Sequence, residues 1–336
     1  AKIANYDKYR GECLFLRSWW YFNLYRVFGV VPITRTVVTP AAAKLIPRCT
    51  EEEMYTLLTE DLAEAARLLP PTPGPEKARV ANIAAYTLLA KVYLTFGKPA
   101  EAKTALEEAM KNTSYGLEST TKKVFDVGNK MNREIIFALY YNKTNDNGHG
   151  YWYSANTDVL ADINNPTPTF KAIYDSEKDN RLPLISSYTK IKDNLFAMTK
   201  WYDTYDATYT TQVGNDFPHL RYADITLMYA EALAETDLPT ALTWLNKTRI
   251  RAGLDELTSD DVKTKAEFIR ELAAERGREF ALEGHRWFDL VRLGLAVEHF
   301  RNLGYTLDAH NLIFPIPQNQ IEIVNNPSIL WQNPGF

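Results

Sequence analysis

The charged residues between Glu275 and Gly294 stand where charge is hardest to keep. Phe268 to Asp289 reads as helical throughout, with Phe268, Leu272 and Phe280 recurring near a helical period and Arg276, Glu279 and Glu283 on or beside that apolar stripe. A charge on a buried face is tolerated only when it is paired and hydrogen-bonded. Glu283, Arg286, Asp289 and Arg292 sit three apart in succession, a spacing that lets opposite charges meet along one helix. Two chemistries fit these residue types: an internal ion-pair lattice that locks two helices, or a catalytic carboxylate pair. The lattice is the expectation, because structural ion-pair networks also place charges in such clusters. Glu279, Glu283, Arg286 and Asp289 are assigned to it. His285, inside the same stretch, is expected to be a hydrogen-bonded core histidine rather than a general base.

A second grouping is aromatic. Tyr140, Tyr141, Tyr151, Trp152, Tyr153, Trp201, Tyr202, Tyr205 and Tyr209 are interleaved with Asn142, Asn145, Asp146, Asn156, Asp158 and Asp203. A flat ring covers the apolar C–H face of a sugar while amides and carboxylates bond its hydroxyls. The same rings suit peptide side chains, and single members of such a set also serve as packing residues. The candidate ligand-binding residues are Tyr151, Trp152 and Tyr153, backed by Trp201 or Tyr202. In a strand Tyr151 and Tyr153 face one side and Trp152 the other, so one buried face cannot hold all three.

The familiar catalytic signals are missing. No Gly-x-Ser-x-Gly elbow, Walker loop or His-Glu-x-x-His occurs, and Gly148-His-Gly150 reads as a turn. With 42 acidic residues, some pair reaches glycosidase separation by chance, so carboxylates alone argue nothing. The residues alone nominate no catalytic residue, no metal ligand and no cofactor; a structural calcium ion is not predicted.

These residues need a scaffold, and its pattern is helical. Tyr6 to Phe28 reads as a first helix with a broad aromatic stripe, closed by Gly29 and by Pro32. Thr50-Glu-Glu-Glu53 is a capping box opening a helix that runs to Leu69. From Arg79 to Asn112, Tyr86, Leu89, Ala90, Tyr93, Gly97, Ala102, Leu106 and Ala109 follow tetratricopeptide spacing. A looser unit of that kind spans Arg221 to Gly253. Helix pairs bury their faces only by stacking, so the first and last helices are the natural partners of these two units. Arg133 to Tyr141 is a β-rich run, and the chain from Tyr151 to His219 is irregular. The expected fold is mainly α: a tetratricopeptide-like helix-pair scaffold with a loop-rich, partly β insertion. Its parts are a helical scaffold at 1–132, an aromatic-rich ligand-binding insertion at 133–220, and a second unit with the C-terminal segment at 221–336, integrated as one domain. A loop-rich insertion of that length is uncommon unless it carries function.

Composition narrows the classes. The 336 residues are 46% hydrophobic and 24% charged with a net charge of −4, and no clustered basic surface for nucleic acid is seen. No stretch approaches the ~18 apolar residues of a membrane span. Cys13 and Cys49 make neither a disulfide framework nor a metal site.

The run Glu275-Arg-Gly-Arg-Glu-Phe-Ala-Leu-Glu-Gly-His-Arg-Trp-Phe-Asp-Leu-Val-Arg292 resembles the signature helix of the SusD/RagB family. Glu12 to Pro32, Leu312 to Ile323 and Trp331 to Phe336 resemble that family's other landmarks, whereas the insertion matches only in pieces such as Asp179-Asn-Arg181. The resemblance implies an outer-membrane lipoprotein on the extracellular face that captures an oligosaccharide or an oligopeptide without cleaving it. It further implies delivery to a SusC-like TonB-dependent transporter. Against the family pattern, the lipid-anchor cysteine and roughly a hundred leading residues, about half a domain, are expected to be absent. Two other classes are an α-helical glycoside hydrolase, which needs an acid and base in a cleft, and a tetratricopeptide protein–protein scaffold, which the aromatic insertion opposes.

Overall fold

Helices make up most of the described chain, and several begin at a capping side chain or end at a glycine. The structure, a computed structural model, describes residues 4–141, 154–156, 166–192, 195–201, 203 and 214–336. Helix α1 (Tyr6–Phe28) buries Phe15, Trp19 and Phe22 and stops where Gly29 takes a φ of 72°. After the single turn α2 (Pro40–Ala43), α3 (Glu51–Leu68) opens on the expected capping box. The Glu53 amide donates to Thr50 Oγ1 at 3.1 Å, and the Thr50 amide donates to Glu53 Oε2 at 2.7 Å. Helices α4 (Asn82–Thr95) and α5 (Pro99–Met110) form the first pair, with buried alanines on both that permit close approach.

Short turns α6 (Thr121–Val124), α7 (Pro168–Lys171) and α8 (Leu182–Ser186) punctuate the middle of the chain. Helices α9 (Tyr222–Leu233) and α10 (Leu238–Arg251) form the second pair, followed by α11 (Lys265–Glu279), α12 (Arg286–Arg292), α13 (Ala296–Asn302) and α14 (Gln318–Val324). Packing runs in succession from α1 through α3, α4, α5, α9 and α10 to α11. The two helix pairs therefore meet directly through α5 and α9, and the flanking helices cover the outer faces. One apolar core spans α1, α3, α4, α5 and part of α9, and a second gathers around α9, α10 and α11.

Strand β1 (Ile135–Leu139) falls inside the β-rich run and pairs antiparallel with β5 (Phe217–Arg221), Leu139 opposite Phe217 and Ile135 opposite Arg221. This ribbon ties the two ends of the middle segment together. Within that segment, β2 (Ser154–Asn156), β3 (Tyr188–Lys192) and β4 (Leu195–Met198) form an antiparallel sheet in the order β2-β4-β3. No helix among the described residues is long and apolar enough to cross a membrane.

One expectation is corrected. Phe268 to Asp289 reads as a continuous helix, but α11 ends at Glu279 and α12 starts at Arg286. Between them Leu282 and Gly284 adopt φ values of 63° and 80°, which reverse the path. The physical reason is Glu283: the turn carries its carboxylate inward to cations on other elements.

Candidate functional site

The charges of this stretch form a buried lattice in two branches. Arg221, the last residue of β5, directs all its guanidinium hydrogens at acceptors. Its Nε donates to Glu283 Oε2 at 2.8 Å and its Nη1 to Glu134 Oε1 and Glu279 Oε1, both at 2.7 Å. Its Nη2 donates to the Glu279 carbonyl at 2.7 Å and to Glu283 Oε1 at 2.9 Å. Glu279 also accepts from Arg251 and from Arg181 Nη1 at 3.0 Å, and Glu283 accepts from Lys200 Nζ at 2.8 Å. Arg181 grips Asp179 with two bonds and reaches Glu275 at 2.7 Å. Burial disfavours the ionised form of Glu279, yet Arg251, Arg221 and Arg181 hold it well below the usual carboxylate range. In the second branch, Arg276 joins Asp289 at 2.8 Å and Asp224 at 2.9 Å. Asp224 meets Lys91, and Arg292 meets Asp289 and Glu231.

The lattice thus joins α4, β5, α9, α10, α11 and α12, more than the two helices the spacing implied. Glu279, Glu283 and Asp289 are buried ion-pair members. Arg286 differs: its Nη1 donates to the Ala273 carbonyl at 2.6 Å, crossing α11 where Gly277 leaves room. A Cβ on Gly277 would stand 2.9 Å from that nitrogen.

Beside the second branch lies a cavity of about 400 Å³ between α1, the β1–β5 ribbon and the α11–α12 turn. Trp19, Trp20, Asn23 and Arg26 line it from α1, Phe137 and Leu139 from β1, and Phe217 and His219 from β5. Leu16, Lys91, Gly284, His285 and Phe288 complete it, together with Glu283, whose carboxylate is already paired with Arg221 and Lys200. Trp20 is 66% exposed at its edge, a large apolar ring open to solvent. His219 packs against Trp19, Phe137 and Phe217, and His285 stacks on Phe280 at 4.6 Å. Burial, with Lys91 nearby, lowers His219 to about 4 and His285 to about 3, so both imidazoles are neutral at pH 7. Neither ring hydrogen-bonds to the described protein, which corrects the expectation of a hydrogen-bonded His285.

Of the expected ligand residues, Tyr151, Trp152, Tyr153 and Tyr202 lie outside the described residues. Trp201 is corrected from ligand arc to core. It is 1% exposed, with its ring between Phe125 at 5.0 Å and Phe217 at 5.9 Å, in a cluster with Tyr174, Ile185 and Met198. The reason is the short 3-10 turn Thr199–Trp201, which sends Trp201 inward beside Lys200. Sequence reasoning missed the cavity, though a signal was present. Arg26 has Phe22, Asn23, Gly29 and Val30 at the helical neighbour positions, so no acid can meet it along α1.

A stacked helix-pair array with a β ribbon and a small inserted sheet defines the class, the SusD-like fold. A solved SusD superfamily protein from Parabacteroides distasonis superposes with a TM-score of 0.83 at 22% identity, over 100% of this chain and 80% of that one. A laminarin-binding SusD-like protein gives 0.78 at 24% identity, over 100% and 80% respectively. Residues 174–336 match the SusD family model, and residues 1–94 match a model described as starch-binding, associating with outer membrane. Among curated relatives, SusD-like protein P2 of Formosa agariphila is 26% identical over 97% of this chain and 73% of its own length. The chain belongs to the SusD/RagB family.

Proposed function

We propose that this protein captures glycan oligomers at the outer face of the outer membrane and passes them, uncleaved, to a SusC-like TonB-dependent transporter. The observation that carries this reading is the family match at both ends of the chain, one part to a model described as starch-binding and outer-membrane-associated. Solved relatives of the same fold described as laminarin-binding and carbohydrate-binding support it. In this reading the helical scaffold, 1–132 and 221–336, holds the insertion 133–220, and the insertion presents the ligand arc. Tyr151, Trp152, Tyr153 and Tyr202 supply its rings. The buried lattice keeps the base of the insertion rigid, because Arg221 on β5 and Glu134 beside β1 are both part of it.

A glycan and peptide array probed with the purified protein tests the reading. Binding to glucans or other glycans supports it, and binding confined to peptides overturns it. Incubation with the bound glycan should release no reducing ends above a heat-killed control. Co-purification from outer membranes should retain a TonB-dependent transporter.

A further inference from the structure

Arg26 is the cation at the cavity that lacks an ion-pair partner among the described residues. The second branch of the lattice balances Lys91, Arg276 and Arg292 against Asp224, Asp289 and Glu231. Arg26 has only Asn23, whose Oδ1 accepts from its Nη2 at 2.6 Å, while its Nε is buried without an acceptor. Its guanidinium lies 4.0 Å from the centre of the Phe288 ring and 4.6 Å from that of Phe22.

The molecule contains its own comparison. Phe22-Asn-Leu-Tyr-Arg26 on α1 and Phe288-Asp-Leu-Val-Arg292 on α12 follow one pattern, and in both the arginine bonds the residue three before it. On α12 that residue is Asp289 and the charge is neutralised. On α1 it is Asn23, so the charge is held in place without a direct ion pair among the described residues, and Asp289 and Asp224 act on it only from a distance.

We propose that this cavity is a second binding site, for a carboxylate-bearing sugar of the uronic acid type. The carboxylate meets the Arg26 fork, a geometry that guanidinium matches with two parallel bonds. The apolar face of the pyranose lies on Trp20 at the open edge. Its hydroxyls meet the ring nitrogens of His219 and His285, which as neutral imidazoles each offer one donor and one acceptor. The volume, about 400 Å³, falls at the small end of the ~300–1,000 Å³ typical of ligand pockets, and suits one or two sugar rings. A fatty acid would satisfy Arg26 alone and leave both imidazoles without partners. Polar groups on three walls favour the polyhydroxylated ligand.

The cavity shares no lining residue with the arc proposed around Trp152, so the two readings fail separately. The test is calorimetry of the whole chain at pH 7 with digalacturonate, its methyl ester and octanoate. The acid should bind at least about tenfold tighter than the ester, the scale of one lost charge-assisted hydrogen bond. Asn23→Asp, which supplies the missing acid, should remove that preference without lowering the melting temperature. Trp20→Ala, at an exposed ring, should weaken the acid by a similar factor, and Trp152→Ala should leave it unchanged. Equal affinity for acid and ester, displacement of the sugar by octanoate, or a loss confined to Trp152→Ala overturns the proposal.

Discussion

Arg221 is bonded so fully that its neighbours cannot be changed singly without leaving a charge stranded. Removing one partner of a buried ion pair is costly because the remaining charge is then desolvated and unpaired, typically ~3–5 kcal/mol. Glu279→Ala leaves Arg181, Arg221 and Arg251 short of an acceptor. Denaturant unfolding should show a loss of that size with an unchanged slope, and a loss below ~1 kcal/mol would contradict the geometry. Acid should act in two stages. His219 and His285 sit near 4 and 3 when folded but near ~6.5 when unfolded, so the unfolded chain binds more protons in between. Stability therefore falls as pH drops below ~6.5. The lattice acids Glu275, Glu279 and Glu283 are held below their ordinary value, so their contribution is present above ~4.5 and is lost below it. A urea midpoint that stays flat from pH 7 to pH 4.5 would rule out the first stage, and His219→Phe should shallow it. That the acids would be paired was legible in their place on an apolar stripe. The identity of their partners was not, since Arg221, Arg251 and Lys200 come from segments that no local spacing connects.

Elements were legible where local chemistry sets their ends. The capping box at Thr50 and the glycine at 29 mark boundaries in the sequence as they do in the fold. Thr50→Ala should cost ~1 kcal/mol, read as a drop in melting temperature. The α11–α12 turn was not legible, because the helical spacing of charges runs through it unbroken. Gly284→Ala imposes a positive φ on a residue with a side chain, at ~1–2 kcal/mol. An unchanged melting temperature there would show that the turn relaxes into a continuous helix.

For the whole molecule, tetratricopeptide spacing revealed two helix pairs but not that they touch, since α5 and α9 are separated by more than a hundred residues. The same holds for the cavity, whose walls come from both ends of the chain. Because the lattice and the β1–β5 ribbon join both halves, unfolding should be a single transition. Circular dichroism and tryptophan fluorescence should give the same midpoint, and two separated midpoints would show that the halves melt independently. At this scale too belongs the proposed ligand arc: if it binds glycan, Trp152→Ala should weaken that binding about tenfold with little change in melting temperature.

Arg221 finds its acceptors at positions 134, 279 and 283, so this junction closes only when distant parts of the chain have already met. Contacts that need such long loop closures form late. The lattice should then be largely unmade at the folding barrier, and its stabilisation should appear as slow opening rather than fast assembly. A protein built this way resists proteolysis through its lifetime in the folded state. Stopped-flow traces of Glu279→Ala should show unfolding accelerated far more than refolding is slowed.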